Sequence, residues 1–280
     1  MKVLRVDYTK DDAAINFTQS LRETGFAVID NHSIDSSLIQ TVYAEWQQFF
    51  AADYKQKYLV TDFHRQDGFY PANFAEKAKG YSEKDLKEYF QFFPWGQFPT
   101  ELSSNTLNLY QQLSHFAETL LAWVEQYTPR DIADRLSMPL KQMIRDSQGT
   151  MLRILHYPPL SGTEPAGAVR SAAHGDINLL TILVGATTSG LQVQDVHGNW
   201  HDVPSDKTSL VVNIGDMLET ATEGYYKSTI HRVINPMKAH ENVSRLSMPL
   251  FLHARSEVKI SGERTQEILL NERLKELGVL

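Results

Sequence analysis

His174 and Asp176 stand two residues apart in the stretch Ala-Ala-His-Gly-Asp-Ile-Asn, immediately before an apolar run. In an extended backbone that spacing turns both side chains to one face, so a single sheet edge can offer an imidazole and a carboxylate to one point. A third ligand has to come from elsewhere in the sheet, and His231, in Ser-Thr-Ile-His-Arg-Val-Ile-Asn-Pro, is the best placed. Two imidazoles and one carboxylate on one face of an octahedral metal leave three positions open, enough for a bidentate co-substrate and O₂ at non-haem Fe(II). A zinc hydrolase could use a similar set.

The remaining histidines divide by context. His197 and His201 flank a turn at Gly198 and are expected in solvent, while His32, His64, His115 and His240 have no ligand partner nearby in sequence. His156 and His253 lie on or beside strands that can enter the site, and both stay open.

A second constellation lies at Ser244-Arg245-Leu-Ser247-Met-Pro-Leu-Phe251-Leu-His253. Strand alternation puts Leu246, Met248, Leu250 and Leu252 on a core-facing side and Arg245 with Ser247 on the other. A guanidinium inside a packed fold needs a counter-charge, and a bound carboxylate can supply it in bidentate fashion, with the hydroxyl two residues on donating a further hydrogen bond. The competing reading is an edge strand with Arg245 in solvent.

These residues need a scaffold to bring them together. The first half reads as mostly helical, with a helix from about Asp11 to Thr24 capped by Thr9, a strand at Phe26 to Ile29, a helix from Ser36 or Ser37 to Phe50, and the longest from Ser104 to Thr128. After Gly149 short runs rich in Val, Ile, Leu and Thr follow one another: Thr150 to Tyr157, Asn178 to Val184, Leu191 to Gln194, Ser209 to Ile214, Thr229 to Ile234 and Arg245 to Phe251. Turn residues punctuate them, which predicts an antiparallel sandwich or barrel. A last helix is expected from about Glu263 to Leu277. With no repeat or low-complexity linker, residues 1–148, 149–262 and 263–280 are expected to form one unit: helical region, β core and closing helix.

Composition narrows the partners. Of 280 residues, 42% are hydrophobic and 22% charged, the balance of a folded soluble chain. A net charge of -7 and a pI near 5.8 argue against nucleic acid, whose affinity comes from Lys and Arg displacing counterions. No run approaches the length of a membrane helix, and the charged N-terminal stretch does not resemble a signal peptide, so a cytoplasmic location is expected. The absence of cysteine removes disulfides, thiolate nucleophiles and Cys-ligated clusters, leaving His, Asp and Glu to bind any metal.

In order along the chain, these pieces resemble the isopenicillin N synthase-like branch of the iron(II)/2-oxoglutarate dioxygenases. The resemblance rests on His174-Gly-Asp176, Leu179-Leu-Thr-Ile-Leu183, Gly190-Leu-Gln-Val193, Val212-Asn-Ile-Gly-Asp216, Tyr226-Lys-Ser228, His231-Arg-Val233 and Arg245-Leu-Ser247. Upstream it extends to Gly25-Phe-Ala-Val-Ile-Asp-Asn-His32, Asp85-Leu-Lys-Glu88 and Arg153-Ile-Leu-His-Tyr157-Pro-Pro159. It implies an α+β fold with a mainly β core, a double-stranded β-helix or distorted jelly roll flanked by helices.

It also implies Fe(II) on His174, Asp176 and His231, and the distal carboxylate of 2-oxoglutarate on Arg245, Ser247 and Tyr157. The implied reaction uses O₂, releases succinate and CO₂, and oxidises a small organic substrate, most often by hydroxylation. Asn213, Gly215 and Asp216 match a family turn and are read as structural. Phe251, His253, Phe90 and Tyr81 are candidate pocket residues, with a lid expected in Asp62 to Phe98 and the last helix. Departures are Gly175 where threonine is frequent, Leu155 for a polar residue, and His253-Ala254 where a proline is usual. An oxidase that takes all its electrons from substrate, and a non-catalytic module on the same scaffold, are the alternatives.

Overall fold

The computed structural model describes residues 1–62, 64–74 and 83–276. It opens with β1 (Arg5–Asp7), α1 (Ala13–Thr24) and β2 (Phe26–Asp30). The first helix starts later than its pattern suggests, because the Thr9 hydroxyl bonds Asp7 Oδ1 at 2.7 Å instead of capping the helix. It ends where Gly25 adopts a left-handed φ of 73° and returns its N–H to the Leu21 carbonyl. In α2 (Ser36–Ala51) the Asp35 carboxylate accepts from the Ser37 N–H at 2.8 Å, and Leu38, Ile39, Val42, Trp46 and Phe49 form the buried stripe that their spacing predicts.

β3 (Gly68–Tyr70) and β4 (Glu88–Phe92) follow, then α3 (Asn105–Gln126), whose Leu109, Leu113, Phe116, Leu120, Leu121 and Val124 are all buried. Short turns α4 (Arg130–Ala133) and α5 (Leu140–Met143) lead into β5 (Met151–Tyr157), β6 (Ser171–His174), β7 (Leu180–Val184), β8 (Leu191–Gln194), β9 (Trp200–Asp202) and β10 (Leu210–Ile214). The chain closes with α6 (Asp216–Ala221), β11 (His231–Val233), β12 (Arg245–Leu252), the hairpin β13 (Lys259–Ser261) and β14 (Arg264–Thr265), and α7 (Gln266–Glu276). The hairpin takes Glu263, Arg264 and Thr265 out of the expected last helix.

Two sheets form the core, one ordered β1-β2-β10-β7-β12-β5-β4-β3 and one ordered β6-β11-β8-β9. Strand alternation sorts the large sheet. Ile182, Val212, Leu250 and Ile154 press against the helices, while Phe26, Val28 and Val211 turn inward to meet Leu191, Val193 and Val233 of the small sheet. The result is a distorted jelly roll with the α1–α3 layer packed outside its large sheet. β3 and β4 extend that sheet from a segment expected to be lid, and β1 and β2 extend its other edge. No helix among the described residues is long and apolar enough to cross a membrane.

Candidate metal centre

His174 ends β6 and His231 begins β11, and antiparallel pairing sets the two directly opposite each other. Their rings lie 4.4 Å apart between centroids, and Asp176 arrives from the loop after β6. One ligand atom from each of the three lies within 4.8 Å of the others.

Each imidazole is fixed by its own backbone. His174 Nδ1 lies 2.7 Å from the Ala172 carbonyl and His231 Nδ1 lies 3.1 Å from that of Thr229. A carbonyl can only accept, so both rings donate from Nδ1, which leaves Nε2 as the atom each can offer to a metal. Those Nε2 atoms stand 4.0 and 3.7 Å from Asp176 Oδ1, too far for hydrogen bonds. The other carboxylate oxygen is occupied: Oδ2 accepts from Thr181 Oγ1 at 2.5 Å and Asn213 Nδ2 at 2.8 Å. Asp176 is thereby oriented with one oxygen toward the imidazoles.

The electrostatics suit a cation. Burial opposes ionisation of Asp176, but the adjacent His231 and His174 rings and the hydrogen bonds from Asn213 and Thr181 hold its carboxyl below the usual range. Burial and the neighbouring His231 push the His174 imidazole down, keeping it neutral and able to ligate. Asp176 and His231 are buried, whereas the His174 side chain keeps 39% of its exposure and marks the open side of the centre. Three inward-facing ligand atoms with no hydrogen bonds among themselves, two of them imidazole nitrogens, fit a divalent metal.

In the large sheet, at the start of β12, Arg245 is 1% exposed. Its Nε donates to the Thr188 carbonyl at 3.2 Å, its Cζ lies 5.0 Å from the Tyr157 ring centre, and its Nη1 has no partner. Register sets Arg245 opposite Tyr157 and Ser247 opposite Leu155. Among the described residues no carboxylate pairs with this guanidinium. Arg245 is therefore an interior residue, and the edge-strand alternative fails because β12 lies between β7 and β5.

The pocket residues fare unevenly. Phe251 is half-buried, 5.4 Å from the Arg153 guanidinium, and His253 is buried beside Gln266. Phe90 faces the other way, against Trp46 and Phe49 in the helix layer, because alternation in β4 gives the interior to Tyr89 and Gln91. It is not a pocket residue. Tyr81 lies outside the described residues. His156 is structural, bridging Glu88 Oε1 at 2.8 Å and Ser244 Oγ at 2.9 Å, and His201 is tied to Asp195 at 2.7 Å and does not stand free in solvent.

Sequence reasoning missed Thr181 and placed Asn213 in a turn. Asn213 belongs to β10, and its signal was a lone amide inside Leu-Val-Val-Asn-Ile. Gly215 is structural as expected, since a Cβ there would lie 2.1 Å from the Asn178 carbonyl oxygen.

A jelly roll whose small sheet brings two histidines and a carboxylate together, and whose large sheet carries a buried arginine, defines a class, the non-haem iron oxygenases. The 2OG-Fe(II) oxygenase superfamily model matches residues 148–254, and that for the N-terminal region of the non-haem dioxygenase in morphine synthesis matches residues 4–113. The chain belongs to the 2OG-Fe(II) oxygenase superfamily and is a 2-oxoglutarate-dependent dioxygenase, with Fe(II), 2-oxoglutarate and O₂ as its cofactor and co-substrates.

Among its relatives is a 2-oxoglutarate-dependent dioxygenase of Monascus ruber, 32% identical over 244 residues covering 76% of this chain and 70% of the relative. A crystal structure of a candidate oxygenase from Shewanella oneidensis is 47% identical, covers 100% of both chains and superposes with a TM-score of 0.89. A full-length Neurospora crassa protein crystallised in complex with alpha-KG shares the fold, with a TM-score of 0.81 at 21% identity, covering 97% of this chain and 95% of that one.

Proposed function

We propose that His174, Asp176 and His231 hold Fe(II), that Arg245, Ser247 and Tyr157 receive the distal carboxylate of 2-oxoglutarate, and that a small organic substrate is hydroxylated on the side of Phe251 and His253. The observation that carries this reading is Arg245, a buried guanidinium on the interior face with an unpartnered Nη1 and no carboxylate among the described residues to neutralise it. Such a charge costs several kcal/mol of desolvation unless a counter-charge arrives, here about the cost of breaking a buried pair.

Bound Fe(II), with O₂ and 2-oxoglutarate, supplies the oxidation of a substrate C–H bond with release of succinate and CO₂. The chain's own residues do the binding and orienting. Thr181 and Asn213 keep Asp176 Oδ2 engaged so that Oδ1 is presented, and the Ala172 and Thr229 carbonyls accept from Nδ1 of both imidazoles, which leaves Nε2 to ligate. Arg245 fixes the far end of a dicarboxylate, and Tyr157 and Ser247 add hydroxyls to the same grip.

We read the partner as a small molecule and not nucleic acid on the net charge of -7. The compartment is read as cytoplasm, because Fe(II) chemistry with a metabolic 2-oxoacid suits a reducing interior. Residues 1–148, 149–262 and 263–280 are read as one unit, supported by the four strands that the first segment adds to the large sheet.

Anaerobic addition of Fe(II) and then 2-oxoglutarate tests the assignment. A weak visible charge-transfer band that is lost in His174→Ala supports it. Iron binding without such a band would favour an oxidase that uses no 2-oxoacid, or a non-catalytic module.

A further inference from the structure

Arg245 is not the sole buried guanidinium at its end of the jelly roll. Arg170, just before β6, is 2% exposed. Its backbone N–H donates to Asn235 Oδ1 at 2.9 Å and its Nη2 to the Val243 carbonyl at 2.8 Å, two residues ahead of Arg245. These bonds account for its anchoring but not for its charge. Its Nε is buried without a partner, and among the described residues no carboxylate pairs with it. Burial and then the positive charge of Arg245 both push the Arg170 guanidinium below its ordinary range, with Tyr157 acting in the opposite direction. Arg170 thus lies within electrostatic reach of both Arg245 and Tyr157.

A third unmet group belongs to the same neighbourhood. The Thr188 carbonyl accepts from Arg245 Nε, and the Thr188 hydroxyl is buried with no hydrogen-bond partner. Two cations that repel each other, each with an unused N–H, together with a free hydroxyl, form a poor packing arrangement by themselves and a good anion receptor. One carboxylate has two oxygens and about four lone-pair sites, more than Arg245 alone can fill.

We propose that Arg170 is a second anion-binding residue of the co-substrate pocket, sharing with Arg245 the distal carboxylate of a dicarboxylic 2-oxoacid. The inference rests on the reading of Arg245 given above and extends it. Its consequence is selectivity: the two-arginine end rewards a terminal carboxylate strongly and does nothing for a 2-oxoacid of equal length without one. Arg170 also immediately precedes the strand that ends in His174, so the anion contact and a metal ligand are carried four residues apart on one stretch of chain.

The test measures dissociation constants for 2-oxoglutarate and for 2-oxopentanoate with the Fe(II)-loaded protein under anaerobic conditions, in wild type, Arg170→Met and Arg245→Met. The expected result is that Arg170→Met weakens 2-oxoglutarate at least tenfold and changes 2-oxopentanoate less than twofold, with Arg170→Lys losing less. An equal loss on both acids would mean that Arg170 only supports the packing, and would overturn the proposal. Unchanged 2-oxoglutarate binding in Arg170→Met alongside a loss in Arg245→Met would overturn it too, leaving the Arg245 assignment standing. No loss in either variant would overturn that assignment and the proposal with it. If Arg170→Met does not fold, Arg170→Gln, which keeps a donor for Val243 without the charge, is read by the same criteria.

Discussion

At the scale of single residues, the centre depends on side chains that never touch the metal position. Asp176 has two oxygens, and only the grip of Thr181 and Asn213 on Oδ2 decides which one faces the histidines. Removing one such hydrogen-bonding partner from a ligating carboxylate typically costs about 10–100-fold in metal affinity. Asn213→Ala is therefore expected to weaken Fe(II) binding by roughly that factor while leaving far-UV circular dichroism unchanged, as titration of the apoprotein would show. An unchanged affinity would mean that Thr181 alone orients Asp176.

At the scale of elements, Gly25 joins the helix layer to the metal centre. Its φ of 73° ends α1, and a Cβ there would fall 2.1 Å from Thr229 Oγ1 and 2.8 Å from the Lys227 carbonyl oxygen. The loop it would displace carries the Thr229 carbonyl that fixes His231. Gly25→Ala is expected to cost about 1–3 kcal/mol of stability from the strained backbone, and also to loosen Fe(II). Calorimetric melting with and without the metal separates the two effects, and a loss of stability with metal affinity intact would confine Gly25 to helix capping.

Elements also show what was legible in the sequence. β12 could be read because Leu246, Met248, Leu250 and Leu252 alternate with Arg245, Ser247, Pro249 and Phe251, so the inward face of Arg245 and Ser247 followed from period two alone. The His-x-Asp spacing and His231 gave the triad by the same logic. β3 and β4 were not legible, since Gly68–Tyr70 is too short for a pattern and Glu-Tyr-Phe-Gln-Phe carries both a polar and an aromatic residue on each face. Phe90 was misplaced for that reason: Tyr89 and Phe90 are equally suited to either side, and only the register with β5 assigns them. Arg170 gave no signal, because a lone arginine near a Gly- and Pro-containing loop reads as solvated until its 2% exposure is known.

At the scale of the whole molecule, stability should depend on pH through His253. Burial pushes its imidazole down from 6.5 to about 4. Between those values the unfolded chain takes up a proton that the folded chain refuses, so this contribution is complete above about 6.5 and declines as the pH falls toward 4. The loss is on the order of 3 kcal/mol at most. Melting temperatures recorded from about pH 7.5 to 4.5 are expected to fall more steeply for the native chain than for His253→Gln, and parallel curves would assign the acid sensitivity to other groups.

The placement of β12 has a consequence for how the chain acquires its shape. It lies between β5 and β7, yet of the eight strands in its sheet it is the last in sequence, while β2, ending at Asp30, waits for a partner β10 that begins only at Leu210. Pairings between such distant segments require large loops to close before they are rewarded, which slows folding and exposes unpaired edges meanwhile. During synthesis the nascent chain therefore cannot complete its sheet until Leu252 has left the ribosome, and the buried Arg245 arrives with the strand that completes it.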